Sequence, residues 1–316
     1  MTQMPRGRVF IHIAGQDQEP WRARIARERD ATLAIAEPTD PSIDYAVVWK
    51  QPPGLLAHLP NLKVIFSMGA GVDHIFNDPQ LPDVPVVRVV EDNLTRHMTS
   101  YVCWRVLDHH RQGMLYRSQQ QARQWREADQ PAADDVSVGI MGLGNLGRAT
   151  AQALLALGYR VNGWTRGPAE VDGVTCFHGQ QGLGPFLNAT DILVVLLPLT
   201  KDTQGIVNHD LLAQLRSDNA LGGAVLINAG RGRLQNEADI LRALEDGTLK
   251  EASLDVFETE PLPASSPLWA HPRVFVTPHA AATSDPVHLV GPMLAQMDAF
   301  ERGEPLRNVV DRAAGY

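Results

Sequence analysis

Apolar runs alternate with helix-spaced stretches along most of the chain, a rhythm that predicts parallel strands joined by crossover helices. Three apolar runs at residues 8–14, 45–49 and 63–68 come first. Residues 21–29 read as a helix between the first two, and 52–59 as a short helix before the third. Residues 96 to about 125 read as one long helix, and Gln130-Pro131-Ala132-Ala133-Asp134-Asp135 breaks the pattern. Further strands are expected at 136–141, 159–164, 192–197, 224–228, 251–255 and 274–277, with a helix at 148–157 and others between the later strands. After Thr283 the pattern returns to helix, where Gly291-Pro292 predicts a kink or a late start. The expected class is α/β, with two doubly wound parallel-sheet domains, the front one the smaller.

The strand at 136–141 runs into Gly142-Leu143-Gly144-Asn145-Leu146-Gly147, a G-x-G-x-x-G turn opening a helix. The three glycines serve a tight turn, close approach to a pyrophosphate, and close helix–strand packing. Helix-start amides then face the phosphates. An NAD site places an acid near the end of the next strand, roughly 20 residues past the last glycine. This chain has Thr165-Arg166 there instead. A guanidinium binds a ribose 2′-phosphate that an acid repels. One charge-assisted hydrogen bond nets about 1.5–3 kcal/mol, a preference of roughly 10- to 150-fold. NADP(H) is therefore the expected cofactor, with NAD(H) possible.

The 316 residues suit about two domains and are 44% hydrophobic, enough for ordinary cores. No segment approaches the ~18 apolar residues of a membrane span, and the N-terminus reads as a first strand rather than a signal peptide. The net charge of −8 and the lack of a basic block argue against a nucleic-acid partner. Two cysteines, Cys103 and Cys176, make no disulfide framework and match no metal spacing. Most of the 11 histidines read as surface residues, and no metal site is expected. A soluble cytoplasmic protein is the expectation.

In an open parallel sheet, ligands sit beyond the carboxyl ends of the strands. Three such ends carry chemistry. Asn228 runs into Ala229-Gly230-Arg231-Gly232, Leu254-Asp255 into Glu258-Thr259-Glu260-Pro261, and Thr277 into Pro278-His279-Ala280-Ala281. With G-L-G-N-L-G, N-A-G-R-G, D-V-F-E-T-E-P-L-P and T-P-H in that order, the chain resembles the D-isomer-specific 2-hydroxyacid dehydrogenases. Gly69-Ala70-Gly71-Val72-Asp73 matches that family's substrate loop. Tyr45-Ala46-Val47-Val48-Trp49, Trp164-Thr165-Arg166 and the ending Val310 to Tyr316 resemble its glyoxylate/hydroxypyruvate reductase branch.

The resemblance implies a Rossmann nucleotide-binding domain (99–284) inserted in a smaller flavodoxin-like substrate domain (1–98 and 285–316), with a cleft between them. It implies reduction of small 2-keto acids by hydride transfer. His279 is then the general acid, Glu260 holds its imidazole, and Arg231 binds the carboxylate and keto oxygen. The amides of Ala70 and Gly71 hold the other side of the carboxylate, and Trp49 walls the pocket. The cofactor lies against Gly142, Gly144, Asn145, Leu146, Gly147, Trp164, Thr165, Arg166, Leu197, Pro198, Thr203, Ala229, Asp255, His279 and Ala281, with Asp255 accepting from the carboxamide. Residues 99–125 form the linking helix of a homodimer. Residues 91–98 depart from the family pattern, and His97 there is a neighbour of the cleft by analogy. A phosphoglycerate or D-lactate type dehydrogenase and a dinucleotide-sensing corepressor are the alternatives. Formate dehydrogenases carry Gln where Glu260 stands.

Overall fold

The computed structural model describes residues 6–315. In chain order, β1 (Arg8–Ile13), α1 (Glu19–Ile25), β2 (Ala31–Thr32), β3 (Ile43–Trp49), β4 (Val64–Ser67), α2 (Asp73–Phe76) and β5 (Val86–Val87) come first. Two helices follow, α3 (Asp92–His110) and α4 (Gly113–Gln121). Then come β6 (Ser137–Met141), α5 (Asn145–Ala156), β7 (Arg160–Thr165), β8 (Thr175–His178) and α6 (Gly179–Asn188). The remainder is β9 (Ile192–Val195), α7 (His209–Leu212), β10 (Ala224–Asn228), α8 (Glu237–Glu245), β11 (Leu249–Leu254), β12 (Val274–Val276) and α9 (Pro286–Glu301). The chain divides into two compact units, one running up to Asn93 and resuming at Ser284, the other Leu94–Thr283.

In the first unit all strands are parallel, in the order β2-β1-β3-β4-β5. The order reverses between β1 and β3, which puts the ends of β1 and β3 where such sheets bind ligands. Strand β3 is apolar at consecutive positions, Tyr45 to Val48 all fully buried, because the sheet is covered on both faces. Helix α9 returns to this unit and packs against α1. The Arg29 side chain, with no exposure, donates to Glu301 at 2.7 Å and to Asp298, and lies 5.4 Å from the centre of the Tyr45 ring. Burial pushes the Glu301 carboxyl up, but Arg29 and the Gly7 amide outweigh it and leave it below the usual carboxylate range.

The second unit is a seven-stranded parallel sheet, β12-β11-β10-β9-β6-β7-β8, whose order reverses between β6 and β9. One face packs Val138, Ile140, Val194 and Ile227 against Tyr101, Val102 and Val106 of α3 and Ala151 and Leu154 of α5. The other packs Leu193, Val195, Leu226 and Leu254 against Phe186 of α6 and Ile240 and Leu244 of α8. The α/β class with two doubly wound parallel sheets is thus as expected.

Four details differ from the pattern reading. The expected long helix is two, because Gln112 adopts a left-handed φ of 56° and ends the first run; the second stops at Gln121, ahead of Arg123 at φ 55°. Periodicity does not register a single left-handed residue. The strands β2, β5 and β8 and the helix α6 were not foreseen. The first two have two residues each and β8 carries polar ends, too short or mixed to stand out. The last helix starts without delay at Pro286, since the Asp285 side chain accepts from Val287 N at 2.8 Å and a proline at the first position has no donor to lose. Pro292 lies inside it. Finally, only His58, His97, His178 and His288 are exposed. His109 and His110 are buried, with both ring nitrogens of each engaged: His109 with Glu251 and Ser253, His110 with Tyr159 and the Pro131 carbonyl.

Candidate active site

The cofactor turn is built from backbone. Strand β6 delivers the chain to Gly142, whose φ of 105° excludes other residues without strain and whose N–H donates to the Trp164 carbonyl. At Gly147 a Cβ would lie 1.9 Å from the Gly142 carbonyl oxygen, so the helix approaches the strand only because this residue is glycine. Gly144, by contrast, faces open space with no atom within 4 Å of a Cβ position. The first amides of α5, at Asn145, Leu146 and Gly147, have no partner inside the helix. An open cradle before free amides suits a pyrophosphate.

The rim of this cradle comes from two neighbouring strand ends. Trp164 is nearly buried and donates through Nε1 to the Gly179 carbonyl at 3.0 Å. Thr165 Oγ1 donates to the Gly167 carbonyl, and Arg166 is exposed beyond it. After β9, Thr203 closes the Leu197-Pro198 turn by donating to the Pro198 carbonyl at 2.7 Å.

The chemically loaded residues follow β10, β11 and β12. Fully buried Asn228 accepts from Gly230 N at 3.0 Å and donates to the Arg231 carbonyl and to Gln235 Oε1. Gln235 in turn donates to the Val256 carbonyl at 3.0 Å. These two amides fix the Arg231 loop; sequence reading singled out neither for this task, though a buried Asn at a strand end is the available signal. Arg231 itself donates to the Gly230 carbonyl at 2.8 Å.

Of the two acids in the β11 loop, Glu260 meets His279, its Oε2 lying 2.9 Å from Nδ1. Glu260 also accepts from Phe257 N at 3.2 Å. Glu258 instead exchanges backbone-to-carboxylate bonds with Glu237 at the start of α8. The Glu260 carboxylate thus lies on the Nδ1 side of a part-exposed imidazole. Asp255 is 1% exposed, and its carboxylate accepts from Ala280 N at 2.8 Å and Ala281 N at 3.0 Å. This acid therefore grips the loop that carries His279. Ala229 and Ala281 are buried beside these turns, and His97 is exposed on α3.

On the first unit, Trp49 ends β3, and the 69–73 loop follows β4. Buried Ser67, which sequence reading missed, accepts from Gly69 N at 3.2 Å and donates to the Gly69 carbonyl at 2.9 Å. That bond pair shapes the turn presenting Ala70 and Gly71, both part-exposed. A Cβ at Gly69 would lie 2.5 Å from the Trp49 ring, and His74 lies against the same ring with centroids 4.5 Å apart.

Among the described residues no group of His, Cys, Asp and Glu could hold a metal ion, and no helix is long and apolar enough to cross a membrane.

A glycine cradle at the switch point of a seven-stranded parallel sheet, with an Arg and a carboxylate-backed His on the neighbouring strand ends, defines the class: a dinucleotide-dependent oxidoreductase. Comparison with known proteins narrows it. Residues 103–281 match the family model described as D-isomer specific 2-hydroxyacid dehydrogenase, NAD binding domain. The chain is 40% identical to glyoxylate/hydroxypyruvate reductase A of Serratia proteamaculans over 98% of its own length and 99% of that protein's. It superposes with a TM-score of 0.93 on the NADPH-dependent glyoxylate/hydroxypyruvate reductase of Sinorhizobium meliloti, crystallised with NADP and sulfate, at 45% identity over 98% of this chain and 100% of that one. A probable 2-hydroxyacid dehydrogenase from Rhizobium etli, in complex with NADP, HEPES and L(+)-tartaric acid, gives 0.92 at 44% identity, covering 98% and 100%. The chain belongs to the D-isomer specific 2-hydroxyacid dehydrogenase family.

Proposed function

We propose that this protein reduces small 2-keto acids, glyoxylate and hydroxypyruvate foremost, to 2-hydroxy acids with NADPH, hydroxypyruvate giving the D isomer. The observation that carries the reading is the Glu260–His279 pair on the strand ends beside Arg231. The planar guanidinium of Arg231 binds the substrate carboxylate and polarises the keto oxygen. The amides of Ala70 and Gly71 take the other carboxylate oxygen, and Trp49 limits the size of the side group. His279 donates its proton to the keto oxygen, and Glu260 orients the imidazole through its contact with Nδ1. When bound, the reduced nicotinamide supplies the hydride to the keto carbon. Gly142, Gly144, Asn145, Leu146 and Gly147 hold the pyrophosphate, and Thr165 and Arg166 the 2′-phosphate. Trp164, Leu197, Pro198 and Thr203 line the adenosine side, with Ala229, Asp255 and Ala281 toward the nicotinamide. NADH serves more weakly.

The protein works as a cytoplasmic homodimer in this reading. Trp104 and Leu107 of α3 and Leu115 and Tyr116 of α4 leave large apolar side chains in solvent, suited to a second copy, and both cysteines are free. The test is the loss of reduced-nicotinamide absorbance with glyoxylate, hydroxypyruvate, pyruvate and phosphohydroxypyruvate, using NADPH and then NADH. Fast turnover of the first two with NADPH is expected. Clear NADPH binding without turnover of any would overturn the substrate assignment and keep the cofactor site.

A further inference from the structure

We propose that Tyr101 and Thr277 are positioning residues for His279, acting through Asp255; this rests on His279 being the group that delivers the proton. His279 has a φ of 52°, a left-handed conformation that an L side chain adopts at a cost. Asp255 holds it there from two directions. Its carbonyl accepts from His279 N at 2.7 Å, and its carboxylate accepts from the next two amides, Ala280 and Ala281.

The carboxylate has a third donor, Thr277 Oγ1 at 2.6 Å. A threonine hydroxyl has one hydrogen, and an ionised carboxylate has none, so this hydrogen points to Asp255. The bond between Tyr101 Oη and Thr277 Oγ1, at 2.8 Å, must then be donated by the tyrosine. Burial pushes the Tyr101 phenol up to about 12, so it keeps that proton throughout any assay range. A directed chain of donors thus runs from α3 through Thr277 to the acid gripping the His279 turn. A tyrosine that only filled space between α3 and the sheet would need no hydroxyl.

The test compares four substitutions in the full-length protein: Tyr101→Phe, Thr277→Val, Thr277→Ser and Tyr159→Phe. The last removes a hydroxyl at the far end of α3, where Tyr159 meets His110 at 2.6 Å. Thr277→Val is expected to lower kcat roughly 10-fold or more, because a buried carboxylate loses a charge-assisted donor, and Tyr101→Phe about 5-fold. Thr277→Ser keeps the hydroxyl and restores kcat to near the parent value. Tyr159→Phe leaves kcat unchanged at a comparable loss of Tm. In the first two variants the loss falls on kcat rather than on the NADPH dissociation constant, measured by fluorescence. Parent kcat in Tyr101→Phe and Thr277→Val, beside a crippled His279→Ala, overturns this proposal alone. Undiminished turnover in His279→Ala overturns the reading beneath it as well.

Discussion

In the five-stranded unit, the turn after β4 presents backbone: the amides of Ala70 and Gly71, shaped by Ser67, beside the face of Trp49. In the seven-stranded unit, the ends of β10, β11 and β12 present side chains: Arg231 in a loop tied down by buried Asn228, Glu260 paired with His279, and His279 on a turn gripped by buried Asp255. The sheets are of one kind, parallel with a reversal of strand order, so the difference lies in the loops. Proton exchange needs particular side-chain chemistry, and gripping a carboxylate with N–H groups needs only a shaped turn. A substitution at Glu260 or His279 should therefore cost turnover, and one in the turn after β4 should cost affinity for the keto acid.

The strongest way to break this contrast is His279→Ala, expected to lower turnover by roughly 10²- to 10⁴-fold with NADPH still bound. Steady-state rates and a fluorescence titration check it, and unchanged turnover removes the proton-donor role. Next in size is Arg166→Ala, which should weaken NADPH by roughly 10- to 150-fold and leave NADH nearly untouched. Equal losses for the two cofactors sink the 2′-phosphate assignment.

On the other unit, Gly69→Ala pushes a methyl into the Trp49 ring and should raise the KM for the keto acid about 10-fold, with kcat close to that of the parent. A fall in kcat without a change in KM would erase the distinction between the units.

The smallest effect is in pH dependence. Burial lowers the pKa of His109 despite Glu251 beside it, so the unfolded chain takes up this proton before the folded one. Its contribution to stability is present above the unfolded value, about 6.5, and is lost as pH falls through it. Glu301 in the first unit is lowered from a carboxylate value, so its share is lost only in more acidic solution, below the usual carboxylate range. Melting temperatures between about pH 7.5 and 5 should slope downward with acid, and His109→Gln should flatten that slope while Glu301→Gln leaves it unchanged.

Much of the second unit was legible because its requirements are written as residue types at fixed spacing. Gly142 and Gly147 admit no Cβ without strain or collision, and the apolar β6, β9 and β10 are buried on both faces, so both features stand out in the sequence. Short edge strands and the αL break at Gln112 were not legible, because two residues carry no period and an αL residue need not be glycine.

The sequence by itself therefore determined the α/β class, the order of strands and helices in outline, the cofactor turn and the identity of the candidate Arg, Glu and His. Only the tertiary structure decided how they are held. Bringing Tyr101 on α3 to Thr277, Asn228 to Gln235, and Asp255 to the amides after His279 depends on hydrogen bonds between segments far apart in the chain or at turns without a pattern. Hydrophobic periodicity reports which face of an element is buried; it carries no information about which buried polar group meets which.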